Sequence, residues 1–480
     1  MQFNSLAFLL FFPLVCLLTA LTDTLPFRDM TQARRTRLRH MLLLLASYVF
    51  YGWWNWRFCF LMLGLTLVAH FCALHLSGPH RKAVLTLGVV FPLLVLGVFK
   101  YYNFFTDSFC QAFGIARTSV LRILPPVGIS FYTFQSLSYT IDVSRGRLEP
   151  EHDFVRTALY VAFFPQLVAG PIVKAGEFIP QLHEERRMRL DGLAAGVQIF
   201  AFGLFKKIVL ADNLSVFVDA VHRSPSAYSG LTLLLSAYAY SLQIYCDFSG
   251  YSDMAVGCAR ILGYELPRNF NLPFLSRNVS ELWKRWHISL SSWLQEYLYI
   301  PLGGNRRGQA RTYLNLLLTM LIGGLWHGAN WTFVAWGGLH GLALCLHKLY
   351  ARWRRKHGLE RRRPLWTGLS VLLTFSYVSF CFIFFRAESI GAALGIVAGI
   401  FTLRPGLHFV SFWAVTALVL TGLCSLAAIV RSRKNGTAVE GFYPLVDLGS
   451  FRGLTLFFLF VGLTLALGYT GQSPFIYFQF

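Results

Sequence analysis

The sequence predicts an all-α, polytopic integral membrane protein with about eleven to thirteen membrane helices, some of them short, broken or re-entrant around a central reaction chamber. Three observations carry that prediction. Of the 480 residues, 55% are hydrophobic and only 14% charged, and the mean hydropathy is +0.52, a composition foreign to soluble chains. Apolar runs long enough for a hydrocarbon core of about 30 Å recur from end to end. The cations sit in short loops between those runs.

In order, the apolar runs fall at residues 5 to 22, 41 to 56, 58 to 78, 83 to 99, 154 to 173, 192 to 211, 229 to 247, 313 to 326, 331 to 348, 366 to 385, 388 to 402, 408 to 430 and 452 to 470. The opening run lacks a basic flank before it and a small-residue cleavage site, so it reads as a retained helix, not a cleaved signal. The run at 154 to 173 is interrupted by Phe164-Pro165-Gln166 and by Ala169-Gly170-Pro171. Irregular backbone at membrane depth needs protein or a water-filled cavity to satisfy its polar groups, so such breaks line the interior. No long linker or low-complexity tract divides the chain, and one integral membrane domain over residues 1 to 480 is expected.

The net charge of +21 does not point to nucleic acid, because the basic residues follow the loops and the positive-inside rule accounts for them. Arg28, Arg34, Arg35, Arg37 and Arg39 follow the first run, Arg352 to Lys356 and Arg361 to Arg363 form a second cluster, and Arg431, Arg433 and Lys434 a third. These loops read as cytoplasmic, with the N-terminus extracytoplasmic.

Polar residues interrupt the apolar pattern in few places. Pro125-Pro126-Val127-Gly128 leads into a helix carrying Ser130, Thr133, Gln135 and Ser138. It reads either as a cavity wall, with Ser130 and Gln135 as candidate contacts, or as a packing helix whose hydroxyls bond its own backbone. Tyr245, Asp247 and Asp253 stand in one stretch, and a buried carboxylate there needs a cationic or amide partner. Asp247 either orients an imidazole or caps a helix, and Asp253 reads as a cap for a helix starting near Ser252.

From Asn278 onward the pattern predicts one amphipathic helix, capped by Ser280 or Asn278, with Trp283, Trp286, Leu290, Trp293 and Leu294 on one face and His287 beside it. Such a helix lies near the headgroups, where Lys284 and Arg285 can meet phosphates. Arg306 and Arg307 are further candidates of that kind.

Gly323 to Trp331 reads Gly-Gly-Leu-Trp-His-Gly-Ala-Asn-Trp and sets His327 within an apolar run, flanked by Trp326, Asn330 and Trp331. Ionisable groups are costly in a membrane, roughly 2.5 to 3.5 kcal/mol for charged residues on insertion scales, so His327 is the first functional suspect. A metal site is not expected: His327, His340 and His347 lack zinc-ligand spacing, and the nine cysteines are scattered among apolar neighbours. Hydrolase, nucleotide-binding and dinucleotide-binding motifs are absent from the sequence.

These stretches together resemble the membrane-bound O-acyltransferase family, in the branch that includes alginate O-acetyltransferases. The resemblance rests on Pro125 to Gln135, Gln166 to Pro171, Tyr245 to Asp253, Asn269 to Phe274, Trp283 to Ser292, Tyr297 to Gly304, Gly323 to Asn330, Trp336 to Gly341 and Phe384 to Ala387, in family order. It covers the chain from about residue 45 to 390, with further membrane helices over about 391 to 480.

The resemblance implies acyl transfer to a hydroxyl, with His327 as the catalytic histidine and His287 as the second signature histidine. It implies acetyl-CoA as donor substrate, no bound cofactor, an exported polysaccharide as eventual acceptor, and an extracytoplasmic acetyltransferase partner at the bacterial inner membrane. D-alanyl transfer to teichoic acid from an acyl carrier protein is the alternative within the class. A lipid-linked sugar transporter is the alternative outside it, since broken helices also mark transporters.

Overall fold

Helices build both units of the chain, and among the described residues the sole β pairing is the isolated bridge between Tyr228 and Leu407. The structure, a computed structural model, describes residues 1–24, 31–115, 122–358, 364–471 and 473–476. Arg28 and Arg361 to Arg363, read above as loop cations, lie outside the described residues. The first unit comprises residues 1–201 and 251–267, and the second residues 202–250 and 268–480.

In the first unit, Pro125 and Pro126 precede the helix Ile129–Ser144, whose N-cap Gly128 has φ 76°. A side chain there would meet the Leu167 carbonyl, so glycine is required on two counts. Ser138 donates to the Gln135 carbonyl at 3.0 Å and Tyr160 donates to it at 3.3 Å. Lys100 donates to Ser130 at 3.3 Å. The hydroxyl of Ser138 therefore serves its own helix, as one of the two readings proposed.

The apolar run at 154 to 173 breaks into Phe154–Ala162 and Phe164–Leu167, followed by irregular chain. The break is held internally: Gln166 donates to the Tyr160 carbonyl at 2.7 Å and the Phe164 amide to Ser47 at 3.1 Å. Asp253 lies within the continuous helix Gly230–Ile261. The expected cap is thereby corrected, because no helix begins at Ser252 for Asp253 to terminate.

In the second unit, the helices Gln309–His327 and Trp331–Lys356 form a tight hairpin, followed by Pro364–Arg386. Gly324 and Gly337 make the hairpin: a side chain on either would drive into the Phe333 or Met320 carbonyl of the other helix. The turn brings His327 and Arg386 to one end, opposite the basic end Arg352–Lys356.

Among the described residues five helices are long and apolar enough to cross a membrane, namely Arg57–His75, Arg81–Phe113, Leu190–Arg223, Leu365–Arg386 and Phe412–Asn435, and three shorter apolar helices accompany them. Other helices bury polar groups, as at Ser130, Gln135 and Asp247, which lowers their hydropathy. Leu10, Leu14, Leu94, Phe412, Val419 and Phe458 are exposed. Such faces are stable against hydrocarbon and not against water.

Candidate active site

The segment expected as one amphipathic helix is two short ones, Val279–Leu282 and Ile288–Leu294, separated by a turn in which His287 adopts φ 44°, ψ 55°. The break corrects the continuous-helix reading. Its cause lies in backbone pairing outside the segment: Ile288 donates to the Asn269 carbonyl at 2.9 Å, and Asn271 donates to the Arg285 carbonyl at 2.8 Å. Of the two candidate caps, Asn278 serves, accepting from the Glu281 amide at 2.9 Å.

The left-handed turn drives the His287 ring into the interior, where its exposure is 0%. His287 Nδ1 lies 3.2 Å from the Asn269 side-chain oxygen, which also accepts from the Ser289 amide and hydroxyl. That oxygen fixes the proton on Nδ1 of the neutral ring. Phe248, Phe270 and Trp326 wall the imidazole at centroid distances of 4.6, 6.4 and 6.1 Å.

His327 ends its helix, is 4% exposed, and stands 6.3 Å from the His287 ring centroid. Trp326, Trp336 and Phe385 surround it at 5.0, 5.1 and 5.4 Å. Trp331, read from sequence as a flank of His327, is 56% exposed. Trp336 takes the inward place because Asn330 caps the next helix through the Thr332 amide, which sets Trp331 on the outer face and Trp336 five residues on toward His327. Asn330 is thus a capping residue, and it also donates to the Glu388 carbonyl at 3.2 Å.

Two cavities of this unit bear on the site. One, of about 510 Å³, is lined by Asn271, Arg277, Ser280, Glu281, Lys284, Arg285 and His347. Lys284 is exposed there, whereas Arg285 is held by Glu281 at 3.2 Å and by the carbonyls of Asn271 and Val439. Burial pushes the Glu281 carboxyl up, but hydrogen bonds from Arg277 and the charges of Arg277 and Arg285 outweigh it and leave the group below its ordinary range.

The other cavity, of about 330 Å³, is lined by Asp219, Arg223, Tyr240, Gln243, Asp247 and Arg386 among others. Arg386 pairs with Asp219 at 2.8 Å. Asp247 has its cationic partner as expected: Lys207 Nζ lies 2.7 Å from both Asp247 and Asp212, and the Ile476 amide donates to Asp247 at 2.9 Å.

Several sequence candidates therefore meet and others serve elsewhere. His327, His287 and Trp326 share one chamber. Tyr245 packs on its rim, 6.2 Å from Trp286 and 5.3 Å from Phe274. Trp283, half-buried, packs against Trp336 and His340. Ser130 and Gln135 make the contacts given above inside the first unit. Sequence reasoning assigned no role to Trp336, His340, Asn269 or Lys207. The available signal for Lys207 was a Lys-Lys pair inside an apolar run, which is as costly as a buried carboxylate and demands the same explanation.

Comparison with known proteins adds the identity of the arrangement. Residues 147–386 match the membrane-bound O-acyltransferase family. The chain is 38% identical over 469 residues to the probable alginate O-acetylase AlgI of Pseudomonas putida, covering 92% of this chain and 95% of that protein. It is 38% identical over 387 residues to the peptidoglycan O-acetyltransferase of Helicobacter pylori, covering 74% and 72%. The teichoic acid D-alanyltransferase of Bacillus subtilis is more distant, 26% identical over 271 residues, covering 55% and 69%. Two buried histidines in an aromatic chamber, on helices fit for a bilayer, thus belong to a multi-pass membrane O-acyltransferase, and the chain is a member of the membrane-bound O-acyltransferase family.

Proposed function

We propose that this protein moves an acetyl group from cytoplasmic acetyl-CoA to a hydroxyl for O-acetylation of an exported polysaccharide at the bacterial inner membrane, with an extracytoplasmic partner completing the transfer. The carrying observation is His327 beside His287 at 6.3 Å in a buried aromatic chamber. The relatives named for alginate and peptidoglycan acetylation support the acyl group and the polymer class, while the D-alanyl reading draws only on a more distant relative.

The chemistry follows from general-base logic. A hydroxyl is a weak nucleophile, and a neutral imidazole that takes its proton during attack contributes about 10²- to 10⁴-fold. In this reading the His327 ring accepts the acceptor's proton, the oxygen attacks the thioester carbonyl, the tetrahedral intermediate collapses, and the thiolate leaves and is protonated. His287, with its Nδ1–H engaged by Asn269, orients the acceptor through Nε2.

The basic loops support a direction for the transfer. If Arg352–Lys356 faces the cytoplasm, the cavity bearing Lys284 and Arg285 opens on the donor side and the cavity bearing Arg386 on the acceptor side. Lys284 then meets donor phosphates. In this reading the N-terminus lies outside by the same rule.

The test is transfer of radiolabelled acetyl from acetyl-CoA in membranes containing this chain and the products of its neighbouring genes, comparing wild type with His327→Ala at matched expression. Label lost in the variant supports the reading. Equal labelling removes His327 from the mechanism, and a requirement for an acyl carrier protein would turn the reading to the D-alanyl type.

A further inference from the structure

Two left-handed residues of the second unit flank one short backbone pairing, and a segment far along the chain ties that pairing down. Among the described residues, three other than glycine have positive φ: Leu272 at 47°, His287 at 44° and Leu403 at 49°. Leu272 follows Asn271, which donates to the Arg285 carbonyl at 2.8 Å, and His287 precedes Ile288, which donates to the Asn269 carbonyl at 2.9 Å. Left-handed backbone is disfavoured for both residues because Cβ approaches the following carbonyl oxygen. It persists where the surroundings over-determine it, and such residues gather at functional sites.

The surroundings here include the chain between the helices Phe412–Asn435 and Phe451–Leu467, beyond the residues 147–386 that match the family. The Gly441 amide donates to the Asn271 side-chain oxygen at 2.8 Å, and Arg268 donates to the Gly441 carbonyl. One guanidinium nitrogen of Arg285 donates to both the Asn271 and the Val439 carbonyls, each at 3.2 Å. The segment is itself anchored: the Thr437 amide donates to the Ser432 carbonyl at 3.1 Å, the Arg431 guanidinium stands 4.7 Å from the Phe442 ring centroid and that of Arg268 stands 5.3 Å from the Tyr443 centroid. Residues 437–443 thus hold both sides of the pairing, at Asn271 and at Arg285.

We infer that residues 437–443 form a positioning strap for His287, acting through Asn271 and Arg285. The inference rests on the acyl-transfer reading, in which His287 orients the acceptor, and adds what keeps the imidazole in that place. Two backbone bonds between irregular segments make a marginal pairing by themselves. The strap adds three hydrogen bonds, and two of them come from guanidinium groups, whose charge makes them stronger than neutral ones. The strap touches no reacting atom in this arrangement; it acts through the orientation of the His287 turn.

The experiment uses the full chain and two substitutions at one position. Gly441→Pro removes the amide that bonds Asn271, whereas Gly441→Ala keeps it, and the added methyl would meet Arg268, Leu272 and Asn271 at ordinary contact distances of 3.6–3.7 Å. Hydrogen exchange of the purified protein in detergent, read by mass spectrometry, should run about tenfold faster over residues 269–289 in Gly441→Pro, the ratio expected for one lost hydrogen bond. Gly441→Ala should exchange like the wild type. Arg268→Met, which removes the other bond to Gly441, should raise exchange over the same residues. Unchanged exchange there in Gly441→Pro and Arg268→Met, or a rise spread over the whole chain in both, overturns the strap.

In membranes, Gly441→Pro should lower kcat for acetyl transfer from acetyl-CoA about tenfold at unchanged donor KM, and should lower it no further when His287 is already alanine. An equal fall in both backgrounds, or a loss confined to donor KM, overturns the link to His287. No acetyl transfer by the wild type would overturn the acyl-transfer reading, a separate outcome, and the exchange rates would still decide for or against the strap.

Discussion

The histidine chamber and the lysine cluster of the second unit solve the problem of polar groups in an apolar interior in opposite ways. Lys207, Asp212 and Asp247 are all buried and close on one another, with both carboxylates 2.7 Å from the same ammonium. Around His327 the neighbours are rings: Trp326, Trp336 and Phe385. A charge satisfied on several sides by opposite charges is fixed in place, whereas an imidazole walled by rings is held by packing. Asp247, which from sequence either orients an imidazole or caps a helix, belongs to the first kind.

That contrast breaks down or sharpens under substitution, with the largest effect expected at His327. Replacement by alanine should lower acetyl transfer about 10²- to 10⁴-fold at unchanged membrane abundance, measured with labelled donor. Retained transfer would falsify the assignment of base chemistry to this chamber.

At the ion cluster the loss should appear in folding. Asp247→Leu leaves Lys207 with one carboxylate and should destabilise the protein by about 3–5 kcal/mol. Thermal unfolding in detergent would show it, and the simultaneous change of Lys207 to Met and Asp212 to Asn should recover much of the loss. A variant as stable as wild type would mean that the cluster is not structural.

The left-handed turn is a smaller term. Asparagine tolerates φ near 44° and a β-branched residue does not. His287→Asn should therefore remain about 1–2 kcal/mol more stable than His287→Val, and the reverse order of melting temperatures would argue against the turn. Below that, Asn278→Ala should cost about 1 kcal/mol through loss of the cap on Val279–Leu282, read from the same unfolding curves.

The smallest effect is one of pH. Glu281 has its folded-state pKa lowered, net, by Arg277 and Arg285 against the opposing effect of burial. Its contribution is therefore present above the unfolded carboxylate value and disappears as pH falls through the lowered folded one. Glu281→Gln should flatten that acid limb in a stability–pH series, while an unchanged limb would assign it to other groups.

Much of this was legible in the residues. Apolar run length is a local property, so the membrane class and most helices followed directly, as did the break at Pro165. His327 and His287 were legible because each interrupts an apolar pattern. One helix over 278 to 294 was not borne out, because the pairings that break it come from Asn269 and Asn271. The roles of Trp331 and Trp336 were open to confusion for a similar reason: both are indoles beside the same histidine motif, and only the cap at Asn330 decides which one turns inward.

The sequence by itself determined the bilayer as solvent, the family, and the two histidines to examine first, since hydropathy and motif order depend on neighbours in the chain. The tertiary structure decided what those residues touch. Asp247 finds Lys207 and an amide 229 positions away, His287 takes its tautomer from Asn269, and His340 joins Trp283 across a helix boundary. Each of these is a pairing between segments brought together by burial, and desolvation, which sets the energy of every such contact, exists only once the chain has packed.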